Sequence, residues 1–535
     1  MTGPGATTPD AMTTLLIEGA LVYDHDADTD RPERADILVT GNRIAAIAPG
    51  LGDPSHPARQ GLPPPRVIDG RRRLAIPGLF NAHYHSHDVL QKGMFEPLPL
   101  EIWNLLALPP SYPRRSREEL RVRTLLGAVE CLRAGITCVQ DMNRLHPFDD
   151  DDLDLVLDCY QQVGIRCVYA PHFTELPPTA SVPFLTDCVP EEERWRLSGG
   201  VSLLPKGVDA LDRIEGVIAA RRDARSRITF GLGPSAPERI RPGTVERLAD
   251  LSARLGLPVY THLYESRATV VHARRSIEGG SLIGFLKRAG LLGPRLSLAH
   301  CVWLTEEEIA EIAAAGTTVA LNPMGNLKTR SGVAPIKALR RAGVHLALGA
   351  DNCSCSDTQN LFQVMKAFCT LPAVSDDPEE DPPSAIDALR AATLGGARAA
   401  GLADQVGALR PGMKADIVLL DLNDPSFVPL NSAARQIVFT EAGRGVRTVV
   451  VDGQVVVDDG RVTTIDEAAL AEEAEALMPA LRADAAAVKA RIGPIRAGLS
   501  EANRRAWAEP VPLWRYVGCP DCTPSRSPRC DPVTP

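Results

Sequence analysis

Two histidines separated by one residue are the first feature of this sequence that could bind a metal ion. His83 and His85 lie in the segment Asn81-Ala82-His83-Tyr84-His85, which ends an apolar run beginning at Leu74. Side chains at positions i and i+2 of a strand lie on the same face, so both imidazoles could reach one ion. An isolated pair of this kind is a weak signal, and its significance depends on what the rest of the fold brings near it.

Three more apolar runs end in residues of the same chemical kind. His262 ends one run and is followed three residues later by Glu265, His300 ends another, and Asp351 ends a third. Nitrogen and carboxylate donors suit Zn²⁺ or Fe²⁺. Three histidines and one aspartate would leave a position open for water, as catalytic metal sites require. The run 228–234 carries no lysine that could bridge two metals, so we expect one divalent ion, Zn²⁺ rather than Fe²⁺.

The elements that must position these residues are predicted by an alternation of apolar runs with helix-like segments. The helix-like segments include 120–134, 244–255, 281–289, 305–315 and 333–342. Near-continuous apolar strands that alternate with helices predict a parallel sheet covered by helices. Eight such strands predict a closed (β/α)₈ TIM barrel, whose active site lies at the carboxyl ends of the strands. The eight runs are 74–83, 135–142, 164–171, 228–234, 257–263, 296–301, 317–323 and 345–351.

The two flanks of this region contain short strand-like segments and turn signals. We predict an α/β protein in which residues 12–73 and 405–465 form one small discontinuous β-sandwich domain around the barrel of residues 74–404. Segment 468–492 is rich in Ala and Glu and predicts a helix. Residues 466–535 are therefore expected to form a helical extension with a Cys- and Pro-rich tail. The tail contains Cys519, Cys522 and Cys530.

Composition and charge indicate which kinds of binding partner to expect. The net charge is −9 and no run of Lys and Arg could follow a nucleic acid backbone, so nucleic acid is not expected as a partner. We find neither an apolar stretch of the length that a membrane span needs nor a secretory leader pattern, which predicts a cytoplasmic protein without a membrane partner. Most of the 12 cysteines lie inside apolar runs and are expected to be buried thiols.

Longer motifs around these residues are similar to those of a known family. The chain resembles the amidohydrolase superfamily, in the branch of cytosine and guanine deaminases, S-adenosylhomocysteine deaminases and triazine hydrolases. The resemblance extends from about residue 14 to 465. It is carried by PGLFNAHYH, PVYTHLYES, SLAHCVWLTEEEIAEIAAAGTTVALNPMGNLK, LALGADN, AATLGGARAAGL and VGALRPGMKADIVLLDL.

The resemblance implies a role for each central residue. The matching positions make His83, His85, His262 and Asp351 the metal ligands, and Asp351 also the base that accepts a proton from metal-bound water. Glu265 matches the acid that transfers a proton to the substrate's ring nitrogen. His300 matches the residue that orients or polarises the water or the substrate. An ion lowers the pKa of bound water towards ~7, and the hydroxide would attack a carbon that bears an amino group and release ammonia.

Two segments depart from the branch pattern. Ser235 stands where adenosine-type relatives have a histidine, and Asn352 is followed by Cys-Ser-Cys-Ser-Asp. Both changes lie around the substrate rather than the ion and argue against a nucleoside substrate. We take as candidate substrate-binding residues Trp103, His172, Ser235, Trp303 and Asn322.

Three functions remain open at this point. The first is an aminohydrolase of the cyclic amidine deaminase type, acting on C–N bonds other than peptide bonds in an N-heteroaromatic or related small molecule. The second is a hydrolase of a cyclic amide or a carbon–halogen bond at the same site. The third is a catalytically silent paralogue used for assembly or binding, which ranks last because all six central residues are present. A homodimer is implied by the resemblance alone.

Overall fold

The N-terminal flank forms five strands. The structure, a computed structural model, describes residues 13–108, 115–145, 148–197, 209–374 and 381–516, so the cysteine tail at 519–530 lies outside the described residues. The strands are β1 (Thr14–Val22), β2 (Arg34–Thr40), β3 (Arg43–Ala48), β4 (Arg66–Asp69) and β5 (Arg73–Pro77).

Eleven short strands follow, and every ladder among them is parallel. Each of the eight predicted apolar runs contains one or two of them. They are β6 (Leu79–His85), β7 (Ile136–Asp141), β8 (Arg166–Tyr169), β9 (His172–Phe173), β10 (Ile228–Phe230), β11 (Gly233–Pro234), β12 (Val259–Leu263), β13 (Leu296–His300), β14 (Thr318–Leu321), β15 (His345–Leu348) and β16 (Asp351–Asn352).

These strands pair largely in chain order, and the last of them, β16, pairs with the first, β6. One sheet has the order β10-β8-β7-β6-β16, a second β12-β13-β14-β15, and β9 pairs with β11. A parallel bridge between Leu232 and Val259 joins the fourth run to β12. β15 and β16 belong to the same run, and they pair with β14 and β6 respectively. The pairings thus form a ring in which the carboxyl ends of all eight runs share one rim.

The C-terminal flank adds β17 (Ile417–Asp421), β18 (Val446–Val451), β19 (Gln454–Asp458) and β20 (Arg461–Val462). These strands join the N-terminal ones in a nine-stranded sheet of order β20-β19-β18-β17-β5-β1-β2-β3, with β4 paired to β1. Both flanks therefore contribute to one sheet.

The first predicted barrel strand, 74–83, is divided in the structure at Gly78. Residues before it form β5 in the nine-stranded sheet, and residues after it form β6 in the ring. A β-carbon on Gly78 would lie 2.1 Å from Thr137 Oγ1, so only glycine allows the chain to pass this close to β7. An apolar pattern cannot reveal the division, because both halves are buried.

Helices connect and cover the strands. The five helix-like segments predicted within the barrel region correspond to α2, α6, α8, α9 and α11 and are confirmed. The α-helices of the described residues are α1 (Leu100–Ala107), α2 (Arg117–Arg133), α3 (Asp150–Val163), α4 (Leu185–Cys188), α5 (Ala210–Arg221), α6 (Pro242–Leu255), α7 (Arg267–Ser276), α8 (Leu282–Arg288), α9 (Glu306–Ala315), α10 (Pro323–Lys328), α11 (Ile336–Arg341), α12 (Cys353–Ser356), α13 (Leu361–Thr370), α14 (Ala385–Arg390), α15 (Gly396–Ala399), α16 (Ala433–Phe439), α17 (Glu467–Ile492) and α18 (Arg496–Ala508).

Sequence explains the ends of these helices. Thr305 and Glu308 form a reciprocal capping box at the start of α9, and Gly316 ends it with a φ of 68°, which suits a residue without a β-carbon. None of the described helices combines the length and the apolar character that a membrane crossing requires.

The predicted C-terminal helix is α17, which together with α18 packs on α1. Ile102 and Leu105 of α1 share an apolar cluster with Val488, Ile492 and other residues of the two C-terminal helices. α1 follows β6, the strand that carries His83 and His85. The C-terminal extension therefore packs on the part of the chain that comes after two of the predicted metal ligands.

The C-terminal residues also enclose Trp303. Its ring centroid lies 6.3 Å from that of Trp507 and 5.8 Å from that of Tyr516. The two later residues follow Trp303 by about 200 positions, and its side chain is completely buried.

A buried ion pair joins the ring to the nine-stranded sheet. Arg166, at the start of β8, donates from Nε and Nη2 to both carboxylate oxygens of Asp416, each at 3.0 Å. Both side chains are at most 4% exposed. The fork geometry satisfies both charged groups where water cannot reach them.

Removing one partner of this pair should destabilise the protein strongly. We expect Asp416→Ala to lower the free energy of unfolding by about 3–5 kcal/mol. The variant removes both acceptors of the fork and leaves the buried guanidinium with one contact, to Asp452 Oδ1 at 3.2 Å. The matched control is Asp458→Ala, whose pair with Arg66 is more than half exposed and should contribute at most about 1 kcal/mol. Denaturant unfolding of both variants measures the difference, and equal losses would contradict this assignment.

Candidate active site

The structure brings the predicted metal ligands together at the rim of the ring. His83 and His85 end β6, His262 lies in β12, and Asp351 begins β16. The Nε2 atoms of His83 and His85 are 3.3 Å apart, and those of His85 and His262 are also 3.3 Å apart. Asp351 Oδ1 lies 3.5 Å from His83 Nε2 and 3.7 Å from His85 Nε2. Four residues from three distant segments thus point at one small volume.

The protonation of these rings shows that the site fits a cation. His85 Nδ1–H donates to the carbonyl oxygen of Met142 at 2.9 Å, and His262 Nδ1–H donates to that of Ser235. A carbonyl can only accept, so each neutral ring presents a lone pair at Nε2. Burial, followed by the neighbouring imidazoles, lowers the pKa of His83 and His262 well below its usual value. Lone pairs that face each other at this distance repel unless a cation lies between them.

Buried amides that we did not single out from the sequence hold Asp351 in place. Its φ is 67°, which is uncommon outside glycine. Its carbonyl accepts from Gln359 Nε2 at 2.8 Å, Gln359 accepts from Asn81 Nδ2 at 2.8 Å, and Asn81 accepts from Ala350 N–H at 2.9 Å. Asn81 lies two residues before His83 on the same strand, so the position next to the HxH motif was the available signal.

Glu265 and His300 form a second pair beside the ligands. Glu265 Oε2 lies 3.5 Å from His300 Nε2, and His300 Nδ1 is 2.8 Å from Asn326 Oδ1. Burial raises the pKa of Glu265 to about 7, with Asp351 adding to the rise and His300 opposing it. Donor atoms of Glu265, His300 and Asp351 lie within 4.8 Å of one another. A carboxyl group with this pKa can both accept and release a proton near neutral pH.

A cavity with about 740 Å³ of empty space, partly open to solvent, leads to these groups. Three of the five predicted substrate-binding residues line it, namely Trp103, His172 and Ser235. Sequence reasoning missed other polar residues of its wall. They include His87, Asn104, Arg144, Glu238 and Arg239.

The other two predicted substrate-binding residues are not part of this lining. Trp303 is fully buried, and its Nε1–H donates to the carbonyl of Ser331 at 2.9 Å. Asn322 is also fully buried, and its Oδ1 would lie 2.3 Å from a β-carbon on Gly349. Both pack behind the rim, where they support strand ends.

A model of a known protein family matches most of the chain. The model is described as the amidohydrolase family, and it matches residues 74–456. The chain belongs to the amidohydrolase family. The match begins at the first apolar run and includes all six of the residues described above, so the predicted resemblance is confirmed.

The curated relatives of this amidohydrolase include two kinds of deaminase. A 5′-deoxyadenosine deaminase of Methanothermobacter thermautotrophicus is 31% identical over 468 residues, covering 86% of this chain and 97% of the relative. A 5-methylthioadenosine/S-adenosylhomocysteine deaminase of Moorella thermoacetica is 31% identical, covering 80% and 91%. The predicted enzyme class, a hydrolase of C–N bonds other than peptide bonds, is confirmed.

Solved structures agree with this placement. An adenosine deaminase from Xanthomonas campestris with bound zinc has a TM-score of 0.75 and 28% identity, covering 88% of this chain and 99% of the other. Atrazine chlorohydrolase from Arthrobacter aurescens complexed with zinc has a TM-score of 0.75 and 27% identity, covering 87% and 100%. The fold of this amidohydrolase is thus shared by a zinc-bound deaminase and a zinc-bound dehalogenating hydrolase.

Metal content should separate ligands from their neighbours. We expect purified protein to contain zinc, and His83→Ala and Asp351→Ala to lose most of it, because each removes a donor from the cluster. Glu265→Gln should retain zinc, since we place that side chain beside the ligands rather than among them. Elemental analysis against protein concentration makes the measurement. Loss of zinc in Glu265→Gln, or retention in both ligand variants, would contradict this ligand set.

Proposed function

We propose that this amidohydrolase is a deaminase that releases ammonia from an N-heteroaromatic or related small molecule. We further propose that one divalent ion, Zn²⁺ rather than Fe²⁺, binds His83, His85, His262 and Asp351, and that Glu265, His300 and Asp351 are catalytic. The observation that carries the proposal is the Glu265 carboxyl group, buried beside the ligand cluster with its pKa raised to about 7.

The proposed architecture is a (β/α)₈ barrel at residues 74–404 with a discontinuous β-sandwich domain from residues 12–73 and 405–465 and a C-terminal extension from 466. The ring of parallel pairings supports the barrel, and the shared nine-stranded sheet supports the composite domain. A homodimer stays a prediction.

The residues divide the proton transfers among them. When bound, the ion supplies the Lewis acidity that lets water ionise near neutral pH. Asp351 then accepts the proton that water loses. Glu265 Oε2 donates a proton to the ring nitrogen next to the attacked carbon. As the carbon–nitrogen bond breaks, the amine takes the proton that Asp351 holds and leaves as ammonia, and the proton of the added hydroxyl returns to Glu265. His300, whose Nδ1 side is fixed by Asn326, presents Nε2 to the reacting atoms and orients them.

A second function is favoured by one structural neighbour. Atrazine chlorohydrolase breaks a carbon–halogen bond, as its name states, on a fold that matches this one with a TM-score of 0.75. Hydrolysis of a carbon–halogen bond, or of a cyclic amide, would use the same ion and the same Glu265. Chloride release from halogenated triazines, measured beside ammonia release, distinguishes the two.

The substrate differs from a simple nucleoside in our proposal. Ser235 lines the cavity where adenosine-type relatives carry a histidine, and Arg239 Nη1 donates to its hydroxyl at 3.3 Å. The substrates named for the curated relatives are adenosine derivatives, so 5′-deoxyadenosine belongs in any test panel.

Replacing Glu265 should abolish turnover without removing the metal. We expect Glu265→Gln to reduce ammonia release by roughly 10²-fold or more, because an amide cannot transfer the proton that the ring nitrogen needs. The panel comprises purines, pyrimidines, pterins, triazines and arylamines, assayed with zinc-loaded protein.

The matched control for this experiment is Glu175→Gln. Glu175 is an acid near the end of β9 whose carboxylate accepts from Arg241 N–H and Thr244 Oγ1, and it does not line the cavity. It should keep nearly full activity. Silence of the wild-type protein across the whole panel, with zinc bound, would count against deamination and favour the second function.

A further inference from the structure

Arg144 carries a charge on the cavity wall that the protein does not neutralise. It lies three residues after β7 and lines the same cavity as Glu265. Its Nη1 makes one long hydrogen bond of 3.4 Å to the carbonyl of Leu108. Within the described part of the chain, no carboxylate approaches its guanidinium to ion-pair distance. Burial alone lowers its pKa to about 10, so the group is desolvated but still charged at neutral pH.

The other arginine of the cavity is used differently. Arg239 donates to the hydroxyls of Ser235 and Ser181, each at 3.3 Å, and its Nε lies 3.7 Å from Glu238 Oε1. Its charge and its donors are therefore matched by the protein itself. An unmatched buried charge destabilises a fold, and the contrast indicates that Arg144 is held ready for a ligand.

Two more hydrogen-bond donors on this wall are also without partners. Trp103 Nε1 and His172 Nδ1 are buried, and neither meets an acceptor among the residues that the structure describes. Burial and then the charge of Arg144 lower the pKa of His172 well below its usual value, so its ring is neutral and can present an N–H. A guanidinium and two N–H groups suit oxygen atoms that carry negative charge.

We propose that the substrate is an N-heteroaromatic amine that carries an anionic group, a carboxylate or a phosphate, and that Arg144 binds this group with Trp103 and His172 as further donors. The inference rests on the proposed deaminase function, since it names the class of molecule that the same cavity accepts. The amine would lie at the ligand cluster and Glu265, and the anion at Arg144.

Matched pairs of compounds test the proposal on the zinc-loaded, full-length protein. The carboxylate pairs are cytosine with 5-carboxycytosine and pterin with pterin-6-carboxylate, and the phosphate pair is adenosine with adenosine 5′-monophosphate. For each compound, ammonia release gives kcat/KM, and calorimetric titration of Glu265→Gln gives Kd without turnover. We expect the anionic member of at least one pair to be preferred by about 10- to 150-fold, as a charge-assisted hydrogen bond would give.

Substitution of Arg144 assigns that preference to its side chain. Arg144→Met should remove the preference, so that the ratio between the anionic and the neutral member falls to about 1 in both kcat/KM and Kd. Arg144→Lys should restore part of it, since it returns the charge without the planar fork. Arg241→Met is the control, because this arginine is 66% exposed in its side chain and pairs with Glu175 outside the cavity.

Thermal unfolding separates a binding role from a structural one. Arg144→Met should unfold at the same temperature as the wild type or a higher one, because it removes a desolvated charge that has no counterion. A marked fall, with equal losses for both members of every pair, would show that Arg144 is structural and would overturn the proposal.

Failure of this proposal can be told apart from failure of the deaminase function. Ammonia from neutral compounds with no anionic preference overturns the anion site and leaves deamination in place. If no compound releases ammonia, but anionic members bind more tightly and Arg144→Met abolishes this preference, the deaminase function is overturned and the anion site remains. If no member of any pair binds, the anion site is rejected. Preference within the carboxylate pairs or the phosphate pair identifies which anion the cavity takes.

Discussion

Repulsion between imidazole lone pairs is the constraint on which this active site depends. Backbone carbonyls of Met142 and Ser235 fix the rings of His85 and His262 so that their unprotonated nitrogens meet at 3.3 Å. A cation at the centre of this arrangement would relieve the repulsion. The two carbonyls follow β7 and β11, so the rings take these orientations only when neighbouring strands are already paired. The geometry that favours metal binding therefore depends on the pairing of these strands.

The cluster of candidate metal ligands could be predicted because the signals of its members are local. The period of two that places His83 and His85 on one face is a property of any strand, and His262, His300 and Asp351 each end an apolar run that the pattern identifies. Helices such as α9 were also predictable, since their capping residues are adjacent in sequence. The identities of the ligands thus follow from short segments, while their convergence follows from the parallel order of the strands.

The rest of the site depends on contacts between distant segments, which single-sequence reasoning does not reach. Trp303 was a reasonable substrate contact by its place after β13, but Trp507 and Tyr516 enclose it from about 200 residues away. No sequence signal marks Arg144, and only the structure shows that it lines the cavity without a counterion among the described residues. The division at Gly78 was equally hidden, because its cause is the hydroxyl of Thr137 on another strand.

That glycine has a consequence for how the protein unfolds. Gly78 lies five positions before His83, and the chain on the other side of Gly78 is β5, at the centre of the nine-stranded sheet. A ligand that binds only the folded state stabilises every element whose opening would release it. A metal ion bound at the end of β6 would therefore stabilise β5 and its neighbours as well. Loss of the ion to a chelator would loosen a sheet that contributes no ligand to it, and hydrogen exchange in that sheet would report metal occupancy at a distance.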